Sequence, residues 1–371
     1  MKLTFPHMGN AYIAVKVLLD TLGLDYYLPP VGSKETMRLG IAYSPEFMCL
    51  PFKTVLGDFI QGLNNGADTI LFGGGDGQCR MSYYGDLHKE ILRGLGYKFN
   101  YIHLNFNHIS YRDMTEKLGP LLENKKGILV ARALTRAVWT VFAVDNLYHI
   151  AGKKRCREVK KGSADGIMRD FEKQAQTVKG FRNIRGEILA TRKKLRQIET
   201  DKNFEPVKIA LVGEIFISSE PSTNLEIEKK LGNMGALVYN TMSVSEWILK
   251  HCVSFLIPVK RPDKAVEAAQ EYLHTDDVGG HGVYTVGNTE LLSRGGYDGI
   301  IQIYPFTCMP EIIAQTAFSE IQKKHSVPVM TLIVDEMTGE AGYVTRLEAF
   351  VDMLRMKKEQ TADAEPIAPK P

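Results

Sequence analysis

Residues 69–79 read Thr-Ile-Leu-Phe-Gly-Gly-Gly-Asp-Gly-Gln-Cys, and this stretch decides the fold class. Its first four residues form an apolar run typical of a buried strand, the glycines form a loop, and a helical pattern follows from about Tyr84. A buried strand that leads through a tight loop into a helix is the repeating unit of parallel α/β proteins. The sequence therefore predicts an α/β fold with Cys79 at the carboxyl edge of a parallel sheet.

The same alternation of strand and helix patterns extends over the rest of the chain in two blocks. It predicts two Rossmann-like, flavodoxin-like parallel-sheet domains joined by a helical connector. The predicted units are an N-terminal α/β domain over residues 1–150, a basic helical connector over residues 151–203 and a C-terminal α/β domain over residues 204–371. In the connector, apolar residues recur at helical spacing, and Gly162, Gly180 and Gly186 are the predicted helix breaks.

The composition is that of a globular protein. The chain has 371 residues, of which 44% are hydrophobic and 24% charged, and this is enough for two domains with cores. Its first residues lead into a strand rather than a signal peptide, and we predict no apolar stretch long enough to cross a bilayer. Five cysteines, an odd number, argue against a disulfide framework. We therefore expect a cytoplasmic protein without membrane contact.

The charge is unevenly distributed along the chain. Residues 152–203 carry 16 Lys and Arg against 7 Asp and Glu, a net charge of +9. Such a segment can face nucleic acid, an anionic cofactor such as coenzyme A, or an acidic partner protein. Because it lacks interleaved aromatic residues and any nucleic-acid-binding motif, we interpret it as a solvated helical face and expect no nucleic acid.

Three of the five cysteines lie in loops that suit metal ligands. Cys49 and Cys308 each begin a Cys-x-Pro motif, in which Pro51 and Pro310 suit the first turn of a helix. A thiol at a helix N-terminus is expected to lose its proton more easily. Together with Cys79, three thiolates from distant loops can hold a metal ion or an iron–sulfur cluster and leave one position open. For each cysteine, a role as a small buried core residue is an equal alternative.

The other two cysteines have contexts that favour a structural role. Cys252 lies on the apolar stripe of a helix predicted over residues 243–256, and Cys156 lies in a basic run that we expect to be solvated. The segment before Cys49 is ambiguous. It reads either as a strand or as a short helix capped by Ser33 and ended at Gly40.

Further candidate site residues lie in glycine-rich loops and at strand ends. The loop after residue 72 completes neither a Walker A nor a dinucleotide-binding motif, so we expect Gly74 and Gly75 to let backbone N–H groups donate to cluster sulfurs. Around Gly279–Gly282 we predict a second loop, in which His281 is a fourth ligand, an acid or base, or a backbone cap. Carboxylates near strand ends face the cleft or serve as turn and N-cap residues. They are Glu46, Asp76, Glu214, Glu220, Asp335 and Glu336.

Four segments together resemble the 2-hydroxyacyl-CoA dehydratase superfamily, and more narrowly its stand-alone CoA protein activase, or dehydratase-activase-related, branch. They are residues 44–53 around Cys49, residues 212–224 with Glu214, residues 305–311 around Cys308 and residues 335–350 from Asp335 to Phe350. The resemblance covers most of the chain. It rests on the combination of segments, each of which is weak alone.

The resemblance implies a subunit with two Rossmann-like halves that holds a [4Fe-4S] cluster through Cys49, Cys79 and Cys308. The fourth iron would then be bound by water, by substrate, or by a sulfide that bridges to a second cluster, as in relatives with a double-cubane cluster. Electrons would come from a separate ATP-hydrolysing iron–sulfur activator protein, because this chain has no nucleotide-binding motif of its own.

Three functions are compatible with these residues. The first is a dehydratase-like or reductase-like enzyme component, in which an ATP-dependent activator drives reduction of an acyl-CoA or another small molecule; its candidate catalytic residues are Glu46, Glu214 and His281. The second is a non-catalytic iron–sulfur electron carrier or accessory protein. The third is a zinc site formed by the three cysteines and His281. We expect a homo- or hetero-oligomer in an anaerobic cytoplasm.

Overall fold

The computed structural model describes residues 1–74, 78–105, 111–123, 125–248, 263–275 and 278–364. The described elements of the first part are β1 (Lys2–Thr4), α1 (Ala11–Leu22), β2 (Asp25–Tyr27), α2 (Lys34–Tyr43), α3 (Leu50–Asn64), β3 (Thr69–Gly74), α4 (Met81–Gly94), β4 (Asn100–Asn105), α5 (Tyr111–Leu122), α6 (Gly127–Arg155), α7 (Ser163–Thr177) and α8 (Phe181–Arg196). Those of the second part are β5 (Val207–Gly213), α9 (Ile215–Ser219), α10 (Ile227–Asn233), β6 (Ala236–Asn240), α11 (Val244–Ile248), α12 (Lys264–Ala269), α13 (Gly282–Arg294), β7 (Gly299–Pro305), α14 (Met309–His325), β8 (Val329–Val334) and α15 (Glu340–Ala364).

The strands form two four-stranded parallel sheets with the same topology. Their orders are β2-β1-β3-β4 and β6-β5-β7-β8. In the first sheet Leu3 pairs with Tyr26 on one side and Thr69 on the other, and in the second sheet Ile209 lies between β6 and β7 in the same way. The predicted α/β fold with two Rossmann-like parallel-sheet halves is confirmed. In both sheets the strand order reverses beside the first strand, which opens a crevice at the carboxyl ends.

Two apolar clusters hold these layers together. The first cluster runs from α3 and β3 into β5, β7, β8 and α15, so the two halves share buried apolar surface. The second cluster lies beneath α1, α6 and the two connector helices. Strand β5 is buried at six of its seven positions because it is central in its sheet and covered on both faces.

The connector is helical, as predicted, and it packs on the first half of the chain. Gly162 and Gly180 immediately precede α7 and α8 with positive φ angles, which confirms them as helix boundaries. Gly186 lies inside α8, so its prediction as a break is wrong. A buried ion pair between Arg155 and Asp165 anchors α7 to the end of α6. Because α6 continues to Arg155, it crosses the predicted boundary at residue 150, and the exact domain boundaries stay a prediction.

Helix α6 corrects the expectation that no segment is long and apolar enough to cross a membrane. By length and composition alone it meets that requirement. A single helix of this kind is weak support for a membrane span. In this structure α6 packs against α1, α7, α8 and α10, and its buried residues include Val144, Leu147 and Ala151.

Several local predictions differ from the structure, each for its own reason. Strand β2 was not predicted because it has only three residues. The glycine-rich segment around Gly282 begins a helix, α13, rather than forming a loop throughout. Cys156 is buried, not solvated: it is the C-cap residue of α6, and its side chain is turned away from solvent. Of the two alternatives before Cys49, the helix is confirmed with its Ser33 cap, since the Ser33 side chain accepts a hydrogen bond from the Thr36 N–H, but α2 ends at Tyr43 rather than at Gly40.

Substituting Gly287 with alanine is expected to destabilise the fold. A Cβ atom on Gly287 would lie 1.7 Å from the Ala265 carbonyl oxygen, so α12 and α13 could not keep their close approach. We expect a loss of about 1–3 kcal/mol in the free energy of unfolding, measured by urea denaturation. The matched control is Gly186→Ala, because nothing lies within 4 Å of a Cβ there. That substitution should stabilise α8 by about 0.5–1 kcal/mol, and equal losses in both variants would contradict this packing argument.

Candidate functional site

The two crevices of the sheets place several predicted site residues at strand ends. Cys79 lies beyond β3, Glu214 directly follows β5 and Cys308 lies beyond β7. These three strands flank the positions where the strand order reverses. Loops at such positions are the usual location of ligand sites in open α/β sheets.

Cys49 and Cys308 occupy equivalent positions in their helices. Each is the N-cap residue, of α3 and α14 respectively, and each helix has a proline in its first turn. The prediction from the Cys-x-Pro motif is confirmed in this respect. Both cysteines are buried, whereas Cys79 is partly exposed.

The side chain of Arg80 connects the three cysteine loops through hydrogen bonds. Its guanidinium donates hydrogen bonds to the Phe47 carbonyl oxygen at 3.0 Å and to the Thr307 carbonyl oxygen at 2.8 Å. It also donates to the Thr307 hydroxyl at 2.7 Å. Because Arg80 follows Cys79, Thr307 precedes Cys308 and Phe47 lies two residues before Cys49, one side chain spans all three loops. The structure therefore brings the predicted cysteines to one region.

The turn before His281 also belongs to this region. A Cβ atom on Gly280 would lie 3.0 Å from Pro310 and 3.9 Å from the Cβ of Cys79, and one on Gly279 would lie 2.9 Å from Gln78. Both glycines have positive φ angles. This turn therefore packs between the loops of Cys79 and Cys308, and His281 is the next residue, at the N-cap of α13.

Burial, rather than the helix termini, determines the acidity of the thiols. Burial raises the pKa of Cys49 to about 11, opposed by a hydrogen bond with the Tyr84 hydroxyl. Burial also raises the pKa of Cys308 and of Cys79, and the Glu214 carboxylate raises both further. The expectation that a helix N-terminus makes these thiols more acidic is therefore wrong. Any metal or cluster bound here must displace the thiol protons.

Two carboxyl groups sit beside the thiols. Glu214 is the N-cap of α9, where it accepts hydrogen bonds from the N–H groups of Phe216 and Ile217, and burial raises its pKa. Glu311 is 1% exposed and accepts hydrogen bonds from the Thr285 hydroxyl and the Gln302 amide. Burial raises the pKa of Glu311 to about 7, so this group can give or take a proton near neutral pH.

The other predicted site residues are exposed, explained by packing, or outside the described residues. Glu46 is exposed on the loop before Cys49. Gly74 ends β3, and a Cβ atom there would lie 2.6 Å from Nε2 of His103, so close packing explains this glycine. Gly75 and Asp76 lie outside the described residues, as does Cys252, so their predicted roles stay predictions.

Three residues of this region were not predicted as site residues. They are Arg80, Tyr84 and Glu311. Glu311 could have been noticed in the sequence, because a Glu three residues after a helix N-cap suggests a capping box. In the structure its side chain instead accepts hydrogen bonds from Thr285 and Gln302. No sequence pattern identifies Arg80 or Tyr84 as a site residue, because their hydrogen-bond partners lie far away along the chain.

Exposed apolar side chains flank the cysteines. Phe47 is 74% exposed, Tyr83 63%, Phe306 56% and Met309 58%. All four lie within four residues of one of the three cysteines, and we call this group the apolar rim. Large apolar side chains that are exposed together are typical of binding surfaces.

The described residues contain no group of three or more His, Cys, Asp or Glu side chains arranged to hold a metal ion. Sulfurs that share one zinc ion, each at about 2.3 Å, lie within about 4.6 Å of one another. The zinc arrangement of three cysteines with His281 is thus not assembled in this part of the chain. The ligand sulfurs of a [4Fe-4S] cluster lie further apart, at about 6–7 Å for a metal–sulfur bond length of about 2.3 Å.

No protein-family model matches the chain, and no curated protein matches it. The function must therefore be argued from the geometry of the cysteine region.

Glu311 gives the protein a specific pH dependence. Its pKa of about 7 lies above the ordinary 4.5, so the folded state holds a proton that the unfolded state has lost between these pH values. Stability should therefore fall as the pH rises from 4.5 to 7, by up to ~3 kcal/mol. Glu311→Gln should remove this component, as measured by urea unfolding across pH. The exposed Glu348→Gln should retain it, and identical pH profiles for wild type and Glu311→Gln would contradict the assignment.

Proposed function

We propose that the chain is an iron–sulfur protein that holds a [4Fe-4S] cluster through Cys49, Cys79 and Cys308. In this proposal it works as a component of a reductase or dehydratase-like system that receives electrons from an ATP-hydrolysing partner. The likeness of four sequence segments to the 2-hydroxyacyl-CoA dehydratase superfamily supports the proposal, and so does the described geometry.

The observation that carries the proposal is the position of Arg80. Its three hydrogen bonds link the Cys79 loop to the loops of both other cysteines, although these loops come from both halves of the chain. Thiols that merely fill a core have no reason to be collected in this way. Two cysteines at helix N-termini and a partly exposed third suit a cluster whose remaining position stays open.

The surrounding residues have roles of their own. A bound cluster would supply low-potential electron transfer and an open iron as a Lewis acid. The Tyr84 hydroxyl is hydrogen-bonded to the Cys49 thiol and so fixes the position of that sulfur. Glu311, with its pKa raised by burial to about 7, can deliver a proton beside Cys308. Glu214 adds negative charge near all three thiols.

The apolar rim favours a second candidate, an electron carrier that docks to a larger protein. Four exposed large side chains around the cysteines suit a protein contact as well as an acyl substrate. The two functions share the cluster and differ in whether a small molecule is reduced on this chain.

The proposal is tested by anaerobic purification and reconstitution with iron and sulfide. We expect about four irons and four sulfides per chain, or a multiple for a bridged cluster, and an EPR signal after reduction. Zinc bound in place of iron would overturn the iron–sulfur assignment. Oxidation of the reduced cluster by acyl-CoA compounds would support the enzyme, whereas oxidation only by a partner protein would support the carrier.

A further inference from the structure

A cavity of about 190 Å³, with both polar and apolar walls, lies on the side of α3 that faces away from the cysteines. Leu50, Thr54 and Asp58 line it at intervals of four residues, which places them on one face of the helix. The opposite face carries Phe52 and packs on α4, the helix whose Tyr84 contacts Cys49. This cavity is therefore distinct from the proposed cluster site.

Both halves of the chain contribute walls to the cavity. The first half supplies α2, α3 and the His7 segment beyond β1, and the second half supplies residues 220–225 and 335–338. The halves are joined beside it by a hydrogen bond from the Gly9 N–H to Glu220 at 2.8 Å and by the ion pair of Lys53 with Glu336. A ligand in this cavity would contact both halves.

His7 offers an unused hydrogen-bond acceptor. The side chain is 2% exposed and lines the cavity. Its Nε2 lies 2.6 Å from the Pro29 carbonyl oxygen, and because a carbonyl only accepts, Nε2 carries the proton. Burial lowers the pKa of His7, which keeps the ring neutral. Nδ1 is then a lone-pair acceptor, and it has no hydrogen-bond partner in the structure.

Two buried carboxyl groups stand beside His7 without a cation. Asp58 and Glu220 are each 1% exposed. Asp58 accepts a hydrogen bond from the His7 backbone N–H at 2.9 Å, and Glu220 accepts from Ser222 as well as Gly9. Within the described residues, neither carboxyl group forms an ion pair with Lys, Arg or His. Burial raises the pKa of Asp58 well above its ordinary value, and a cationic ligand would offset this cost of burial by supplying the charge partner that the carboxyl group lacks.

The size and walls of the cavity indicate the class of cation. No group of metal ligands is assembled among the described residues, and the volume exceeds that of a single ion. Met37, Leu50 and Leu225 supply apolar walls next to the polar end. This combination suits a hydrocarbon body that carries one group rich in hydrogen-bond donors.

We propose that this cavity binds a small primary ammonium compound with a short aliphatic body. Its ammonium group donates to Nδ1 of His7 and to the carboxyl group of Asp58, with Glu220 supplying negative charge. The aliphatic part packs against Met37, Leu50 and Leu225. The proposal does not depend on the proposed function, because it concerns the opposite side of α3.

The test compares three molecules with the same hydrocarbon chain, n-butylamine, 1-butanol and butyrate. Binding to the full-length protein, as purified without added iron, is measured by calorimetry and ligand-observed NMR at constant pH and ionic strength. We expect saturable binding of the amine, at least about tenfold tighter than the alcohol, and no binding of butyrate. Equal affinities for amine and alcohol, preference for butyrate, or no saturable binding of the amine would each overturn the proposal.

Variants locate the binding site. Asp58→Asn keeps an acceptor for the His7 N–H and should weaken amine binding by about tenfold or more. Met37→Trp should fill the cavity and abolish binding without touching a carboxyl group, so it serves if Asp58→Asn does not fold. Glu35→Gln, on α2 but outside the cavity, should bind like wild type. Unchanged affinity in Asp58→Asn or in Met37→Trp would refute the location.

Discussion

Replacing any one of Cys49, Cys79 or Cys308 with alanine is expected to lower the iron and sulfide content of the reconstituted protein by about tenfold or more. Even residues that only orient metal ligands change metal affinity by about 10–100-fold, and loss of a ligand should cost at least as much. The measurement is iron and sulfide analysis after anaerobic reconstitution, with the EPR signal of the reduced protein as a second readout.

Cys156→Ala is the matched control for this prediction. Cys156 is also buried, so the substitution removes a buried thiol of the same size, but it lies at the C-terminal end of α6 and not in one of the three cysteine loops. Cluster content should stay nearly intact in this variant, and we expect the same for Cys252→Ala. If all five variants lose iron equally, the cysteines act through folding and the ligand assignment fails.

Substitution of Arg80 is expected to have an effect between that of losing a cysteine ligand and that of the Cys156 control. Arg80→Lys retains the charge but cannot reach the Phe47 and Thr307 carbonyl groups in the same forked geometry. The ligands themselves remain, so the cluster should form but be lost faster on exposure to chelator than in wild type. A chelation rate equal to that of wild type would show that the three loops hold their positions without Arg80.

Much of the fold could be predicted because it depends on local patterns. The strands Thr69–Gly74 and Gly299–Pro305 are short apolar runs between turns, and α1 and α3 are amphipathic or buried helices with recognisable boundaries. The predictions that were wrong concern residues whose structure depends on packing between distant segments. The segment around Gly282 was predicted as a loop, yet it begins α13, in which Gly287 permits the close crossing with α12. Cys156 reads as solvated because its neighbours are basic, although its own side chain faces the interior.

The positions of the three candidate cysteines at helix starts and strand ends could be predicted, but the contacts that bring their loops together could not. Cys49 and Cys308 were identifiable from the proline two residues later, and Cys79 from the strand before it. Arg80 could not be found, because its partners lie 33 and 227 residues away along the chain. The thiol pKa values were predicted with the wrong sign, since a helix terminus is visible in sequence whereas burial from all sides is not.

Reduction of the cluster is expected to require the ATP-dependent partner and not to occur efficiently with ordinary reduced ferredoxin. The surroundings of the thiols disfavour added negative charge, because burial and the Glu214 carboxylate raise the pKa of both Cys79 and Cys308. The same factors disfavour an added electron and so lower the reduction potential. The sequence completes no nucleotide-binding motif, and in our proposal the energy for this electron comes from a partner protein.

This prediction is checked by mixing the purified protein with a purified ATP-hydrolysing iron–sulfur activator protein. Cluster reduction is followed by absorbance and EPR with ATP, with a non-hydrolysable analogue and without nucleotide. We expect reduction with ATP only. Full reduction without ATP would discard the requirement for hydrolysis, and it would do so without affecting the ligand assignment.

Ionic strength tests where that partner docks. The connector carries a net charge of +9 over residues 152–203, and it should attract an acidic partner more strongly at low salt. Reversing the exposed Lys193 and Lys194 to Glu should slow reduction at low salt, while Lys358→Glu on α15 should not. If reduction is insensitive to salt and to these reversals, the connector is not the docking surface. The apolar rim is then the next candidate surface, because the exposed Phe47 and Phe306 lie within two residues of Cys49 and Cys308.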